Sequence, residues 1–327
     1  MKHGKLPENI LKRSVLRQFH AERADVLIGA GIGADCAAIR LEDGEMPVFC
    51  TDPVIWTDEA DAKRVVHAVC NDLACAGAQP VGLLLTALLP PEPEEQEIRR
   101  MVQLIAAECE TDGIQILGGH TEVTPSVICP VISVSGVGKV HQDNLILPGR
   151  VQPGEDILVT KWIGLEGTAR IARRKEQELR QHYPAYMVEE AESFDRCFSV
   201  RPEAALAVKH GVTAMHDISE GGVFGALWEL AESSGIGLEI SLKKIPVRQE
   251  TVEICNFFDI NPYQLVSGGS MLMAAPDGDS LAQVLLAAGI PATVIGKAVP
   301  GHDRVILNDG ERRFLERPGL DAIHEVI

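Results

Sequence analysis

The chain has 327 residues, longer than a single hydrophobic core usually supports, so two domains are expected. Hydrophobic residues at 46% and charged residues at 24% are ordinary globular values. A formal net charge of −17 argues against nucleic acid or an anionic membrane as partner, and a nucleotide bound to so acidic a chain would need a metal to offset the repulsion.

Pro7 to Phe19 carries Leu11, Val15 and Phe19 at spacings of four, with basic residues between, and reads as an opening amphipathic helix. Gly29 to Ala38, Gly-Ala-Gly-Ile-Gly-Ala-Asp-Cys-Ala-Ala, places three glycines at alternate positions. Such a run lets successive N–H groups turn toward an anion, and Gly31 and Gly33 with Asp35 beside them suggest a phosphate cradle with a carboxylate for Mg²⁺; a plain turn is the alternative. The same glycines match a relaxed dinucleotide fingerprint, but no helix of ~10 residues fits behind them. The following residues instead read as strand (Cys36 to Leu41), hairpin turn, and strand (Pro47 to Thr51). Asp52 is expected at that strand's end, facing a ligand or starting a turn before Pro53.

Ala60 to Gly77 holds Val65, Val69, Leu73 and Ala76 on one helical stripe with Asp72 on its edge, where a half-buried carboxylate calls for a partner or a metal. Val81 to Leu89 is expected as a buried strand, Glu94 to Asp112 as a helix, and Ile114 to Leu117 as a short strand ending in Gly118-Gly119-His120-Thr121-Glu122. His120 and Glu122 are candidates for metal binding or acid–base work, against the simpler reading of a glycine bulge with a solvated histidine. Strands Cys36 to Leu41 and Val81 to Leu89 are more apolar than a sheet covered on one face requires, which suggests burial on both.

Two Pro-Gly pairs between Asn144 and Glu155 mark the interdomain joint. Strands are expected at Asp156 to Lys161, Ala214 to Asp217, Gly237 to Ile240, Met271 to Ala275, Ala292 to Lys297 and Arg304 to Asn308, with helices between them. Ser219-Glu220-Gly221-Gly222 lies between a strand and a helix N-terminus, so Gly221 and Gly222 form a candidate second anion site, or a tight loop. The eight cysteines show no paired two-residue spacing, which excludes a zinc ribbon or a thioredoxin motif, and most sit in apolar runs. With no signal-peptide core and no apolar run near ~20 residues, a reduced cytoplasm is the expected compartment.

Gly-Ile-Gly-Ala-Asp-Cys-Ala at 31–37, Thr51-Asp52, Asn71-Asp72-Leu73-Ala74 with Gly77-Ala78-Gln79-Pro80, Gly118-Gly119-His120-Thr121-Glu122, and Asp217-Ile218-Ser219-Glu220-Gly221-Gly222 together resemble the aminoimidazole ribonucleotide (AIR) synthetase superfamily. Its members include thiamine-monophosphate kinase, selenophosphate synthetase and the hydrogenase maturation protein HypE. The chain is most similar to the HypE-like branch, the AIR synthase-related proteins. The resemblance implies a two-domain α/β (α+β) PurM-like fold. An N-terminal domain (1–147) would form a β-barrel with its copy in a homodimer, and a C-terminal α/β domain (148–327) would follow. It further implies ATP in a cleft at the dimer interface, Mg²⁺ on Asp35, Asp52 and Asp72, and Gly31, Gly33, Asn71, Gly118, Gly119, Gly221 and Gly222 around the nucleotide. His120 and Glu122 would be catalytic. The family reaction is ATP-dependent activation of an amide or carbonyl oxygen, or phosphoryl transfer. A kinase of the thiamine-monophosphate type and a non-catalytic nucleotide-binding maturation partner are the alternatives. The substrate would be a small molecule or a side chain of another protein.

Two departures are visible. Many relatives carry an acid where this chain has His120, with Glu122 two residues on. HypE ends in a cysteine that accepts a carbamoyl group, whereas this chain ends His-Glu-Val-Ile and its last cysteine is Cys255.

Overall fold

The computed structural model describes residues 4–34 and 36–327, and it separates into two compact units. One contains residues up to Leu145 apart from Cys75–Gly77; the other contains Cys75–Gly77 and Ile146–Ile327. No helix among the described residues is long and apolar enough to cross a membrane.

The first unit contains strands β1 (Gly4–Lys5), β2 (Val26–Ile28), β3 (Ala38–Ile39), β4 (Glu45–Ile55), β5 (Gln79–Leu89), β6 (Gln115–Val123) and β7 (Val131–His141), with helices α1 (Asp61–Cys75) and α2 (Glu95–Thr111). Five strands form one sheet in the order β1-β6-β5-β7-β4, parallel only between β5 and β6. Helix α1 follows a turn that the buried Asp61 carboxylate holds by accepting the N–H groups of Thr57 (2.6 Å) and Asp58 (3.1 Å), while the first helical N–H groups, of Asp61 and Ala62, donate to the Asp58 (3.2 Å) and Glu59 (3.3 Å) carbonyls. Helix α2 opens with a capping box between Glu94 and Glu97. Val65, Val69 and Leu73 of α1 and Ile98, Val102 and Ile105 of α2 are buried, and most of them join Leu83, Ile132 and Val134 of the sheet in one core. His67 on α1 fixes the helix pair: its Nε2 lies 2.9 Å from Glu108 on α2, and this contact holds the Glu108 carboxyl below the usual range. The opposite sheet face is open, with Phe49 68%, Ile55 53% and Leu84 37% exposed.

Four expectations are corrected here. The strand around Cys36 to Leu41 is only Ala38–Ile39 and pairs with β2 instead of β4, so the turn at Glu42–Gly44 links two separate sheets and is not a hairpin. Strand β4 runs through Asp52 and Pro53 to Ile55; a proline fits because β4 is the sheet edge and its missing donor costs no ladder bond. Strand β6 continues through both glycines and His120, being paired with β5 along its length. The opening helix is irregular, a π turn at Leu11–Val15 followed by a 3₁₀ turn at Leu16–Gln18, with the Gln18 side chain donating to the Arg13 carbonyl (3.0 Å).

The second unit holds a seven-stranded sheet. Its strands are β8 (Asp156–Thr160), β9 (Ala214–Asp217), β10 (Gly237–Ser241), β11 (Met271–Ala275), β12 (Ala292–Val299), β13 (Arg304–Asn308) and β14 (Glu311–Phe314), in the order β14-β13-β10-β12-β8-β11-β9. Its principal helices are α3 (Leu165–Arg174), α4 (Ala185–Glu192), α5 (Arg201–Lys209), α6 (Gly222–Ser234), α7 (Gln249–Phe257) and α8 (Gly278–Ala287). Interior strands β8 and β11 are nearly continuous runs of buried residues, as a sheet covered on both faces requires.

The arm formed by β2 and β3 carries the glycine loop, and ions fasten it to the unit. Arg23 grips Asp25 through two bonds of 2.9 Å, and Lys139 of β7 bridges Asp25 (3.4 Å) and Glu45 (3.1 Å). The Arg23 guanidinium holds the Asp25 carboxyl at about 2. A group depressed in the folded state stabilises it above its ordinary value of 3.8 and loses that contribution as pH falls through the folded value. Acidification from pH 4 toward pH 2 is therefore expected to loosen the arm, and Asp25→Asn to loosen it already at neutral pH. Hydrogen exchange of amides 26–41 checks both; unchanged protection in the variant would show that the ion cluster does not anchor the arm.

Candidate functional site

A cavity of about 370 Å³ opens in the first unit between the arm and β6. Gly31, Gly33, Gly118, Gly119 and His120 line it on one side; Leu11, Phe19, Met101 and Ile105 form an apolar wall. Two glycine stretches almost ninety positions apart in sequence thus face the same space. The arm turns at Gly31–Ala34, where the Ala34 N–H donates to the Gly31 carbonyl (3.3 Å) and Gly33 takes φ +78°. Gly119 is obligatory for a different reason: at φ +149° a Cβ would lie 1.9 Å from the Leu85 carbonyl oxygen. The rim is consequently backbone on both sides, a surface an anion can approach closely.

Asp52 and Asp72 also come together. Asp52 shares the helix-facing side of β4 with Cys50 and Val54, and the Cys50 thiol donates to the Val69 carbonyl of α1 (3.2 Å), so the strand lies against the helix whose last turn carries Asp72. Burial pushes the Asp52 carboxyl above its usual value, while a hydrogen bond to Asp72 works the other way. Burial, reinforced by the Asp72 charge, likewise raises the Cys50 thiol. Two carboxylates in contact need a proton or a cation between them, and a hard divalent ion of the Mg²⁺ type suits an oxygen donor set of this kind. Asn71, 2% exposed, is buried beside Asp72. Asp35 lies outside the described residues, and among those described no third acid, histidine or cysteine completes a metal cluster.

His120 and Glu122 form a pair, Nε2 to Oε2 3.0 Å, both side chains about 40% exposed. The register Asp52↔Val134↔Leu85↔Gly119 sets Asp52 in line with Gly119, and His120, one residue on, takes the opposite, open face. The acid–base candidates and the carboxylate pair therefore occupy different faces of one sheet.

Gly221 and Gly222 lie in the second unit and are not joined to this cavity's lining. The anion at their helix N-terminus is supplied by the chain itself: the Asp321 carboxylate, 4% exposed, accepts the N–H groups of Gly221 (2.7 Å), Val266 (3.2 Å) and Ile323 (2.9 Å). Sequence reading missed Asp321, since nothing local marks a partner one hundred positions away. It also missed the apolar wall, because Leu11, Val15, Met101 and Ile105 have the periodicity of ordinary core and nothing in that pattern distinguishes the lining of a cavity.

Comparison with known proteins gives these sites a context. Residues 33–140 match the family model of the AIR synthase related protein N-terminal domain, and 152–308 that of its C-terminal domain. A hydrogenase expression/formation protein of Methanocaldococcus jannaschii is 27% identical over 99% of this chain and 97% of its own length. The carbamoyl dehydratase HypE of Rhodobacter capsulatus is 29% identical over 81% of this chain and 79% of its own. The crystal structure of hydrogenase maturation protein HypE in complex with ATP superposes with a TM-score of 0.80 at 20% identity, covering 96% of this chain and 95% of that one. With both domains matched in order, over 33–140 and 152–308, the chain belongs to the AIR synthase-related proteins.

Proposed function

We propose that this protein is an ATP-dependent enzyme that activates an amide or carbonyl oxygen by phosphoryl transfer, on an acceptor that comes from outside the chain. The observation that carries the reading is the cavity of the first unit, where two backbone rims from distant glycine stretches face one space. The carbamoyl dehydratase activity and the ATP complex named for its HypE relatives support the same reading. Gly31, Gly33, Gly118 and Gly119 would receive the phosphates, and Asp52 and Asp72, with Asp35, would hold Mg²⁺, which supplies electrostatic stabilisation of the transferring phosphoryl group. His120, at the cavity rim and hydrogen-bonded to Glu122, is the candidate to move a proton at the acceptor. The function is tested by incubating the protein with Mg-ATP and following products: ADP is expected, whereas AMP, or binding without turnover, overturns it. A newly phosphorylated small molecule would instead mark a kinase.

An external acceptor is favoured because Cys255, in the second unit, is not placed to serve. Cys255 is wholly buried and its thiol is pushed up to about 12, so it carries no thiolate near neutral pH. Beyond it, Ala322 and Ile323 are packed in the core of the second unit. Offered carbamoyl phosphate, ATP and a HypF-type carbamoyl transferase, the chain is expected to gain no carbamoyl or cyano mass. Intact-mass spectrometry decides this, and an adduct on any of the eight cysteines would return the protein to the HypE reaction.

The open sheet face fits a homodimer. Phe49, Ile55 and Leu84 are exposed on it together, and covering such a face with a second copy removes apolar area from water. Light scattering at micromolar concentration is expected to give twice the chain mass; a monomer would remove the shared-site arrangement. Asp72→Asn is expected to weaken Mg-ATP binding at least ~10-fold, since one lost charge–metal contact is worth on the order of 1.4 kcal/mol or more. Unchanged affinity by calorimetry would take Asp72 out of the site.

A further inference from the structure

The second unit contains a cavity of its own that the nucleotide reading does not use. After β14 the chain turns back as a strap: the Leu315 N–H donates to the Arg304 carbonyl (2.8 Å), Leu315 is buried, and residues 316–320 pass over the N-terminal end of α6 before Asp321 pins them to Gly221. A space of about 240 Å³ remains beneath the strap. Its polar lining is Arg313, Arg317, Asn261, Gln264 and Glu316, with Phe224 on the helix side.

Arg304 and Arg312 nearby are paired with Glu232 and Glu239, whereas Arg313 and Arg317 make no ion pair among the described residues. Arg317 stands 5.9 Å from the Trp228 ring. Arg313 is near enough to Tyr263 to oppose the upward push that burial gives its phenol, and Tyr263 stacks on Phe224 at 5.2 Å. The Gln264 carbonyl oxygen accepts from Asn261 (3.2 Å), which orients that side chain and leaves its NH₂ group as a donor. Two guanidinium groups and an amide donor thus border one small space, opposed by the single charge of Glu316, in a protein of net charge −17 that has acidic partners in excess. Phe314 and Leu320, 68% and 89% exposed, add an apolar flank at the mouth.

We propose that this cavity binds a small phosphate monoester. The phosphoryl group would lie between Arg313 and Arg317 with the Gln264 amide as third donor, and the carbon part would rest against Phe314 and Leu320. A dianionic phosphoryl group offers three oxygens to donors arriving from separate directions, while a carboxylate offers two in one plane. The volume falls below the ~300 Å³ from which pockets for larger ligands begin, which fits a metabolite of a few carbons and not a nucleotide.

The test is calorimetric titration of the full-length protein with glycerol 3-phosphate, inorganic phosphate and malonate, with and without saturating Mg-ATP. Glycerol 3-phosphate is expected to bind with a Kd on the order of 1 mM or tighter, inorganic phosphate more weakly because it lacks the carbon part, and malonate at least ~10-fold more weakly. Mg-ATP should leave these values unchanged. Arg313→Gln/Arg317→Gln should weaken glycerol 3-phosphate at least ~10-fold with Mg-ATP affinity intact. Arg313→Gln alone, which keeps the Arg317–Trp228 contact, serves if the double variant unfolds. Malonate binding as well as the phosphate ester, ester binding indifferent to both variants, or loss of Mg-ATP binding in the arginine variants would each overturn the proposal. Failure of Mg-ATP to bind the unaltered protein would sink the nucleotide reading and leave this one standing.

Discussion

The first unit depends on one close approach. Where β6 passes β5 the backbones come so near at Gly119 and Leu85 that any side chain at 119 would collide with a carbonyl oxygen. Because glycine is there, β6 continues as a paired strand past the point where its hydrophobic run stops, and everything downstream takes its position from that continuity. His120 and Glu122 take the open face, Thr121 and Val123 the core, and the bare backbone at 118–119 becomes one rim of the cavity. Strand pairing fixes side-chain direction by a period of two, so a break here would have moved each of these residues to the other face.

The second unit shows the same economy with charge. A helix N-terminus presents donors that need an anion, and the chain meets the requirement internally with a carboxylate contributed from far along its length. A glycine pair ahead of a helix therefore announces that an anion is present without saying whose it is. At Gly31 and Gly33 the loop faces an open cavity; at Gly221 the amide is already engaged. The difference lies in tertiary structure alone.

This marks the boundary of what the sequence made legible. Strong periodicity placed α1, α2, α6 and six of the seven strands of the second unit, while β14 went unread, and glycine clusters marked the stretches at Gly31–Gly33, Gly118–Gly119 and Gly221–Gly222. Residues whose role depends on distant partners were not legible. Asp52 looked like the end of a strand because Pro53 follows it, and only its edge position in the sheet lets the strand run on. The short strand at Ala38–Ile39 resembled half of a hairpin because its neighbour β4 is also extended, yet it pairs backward with Val26–Ile28, fastened there by Asp25, Arg23 and Lys139. The arginines beneath the strap sit in a stretch that reads only as polar.

An interior strand of the second unit carries a consequence for synthesis on the ribosome. Strand β8 is made first, but both of its partners come late: β11 begins at Met271 and β12 at Ala292, and the pairing register joins Asp156 to Lys297. At a translation rate of about 5–20 residues per second, β8 waits on the order of ten seconds with both edges unpaired, a buried-type strand with nothing yet to bury it. The first unit has all of its strands within the first 141 residues and is free to close during that interval. The two halves thus differ in vulnerability: the nascent chain is most exposed to aggregation while its first unit is already formed and its second is still a strand without a sheet.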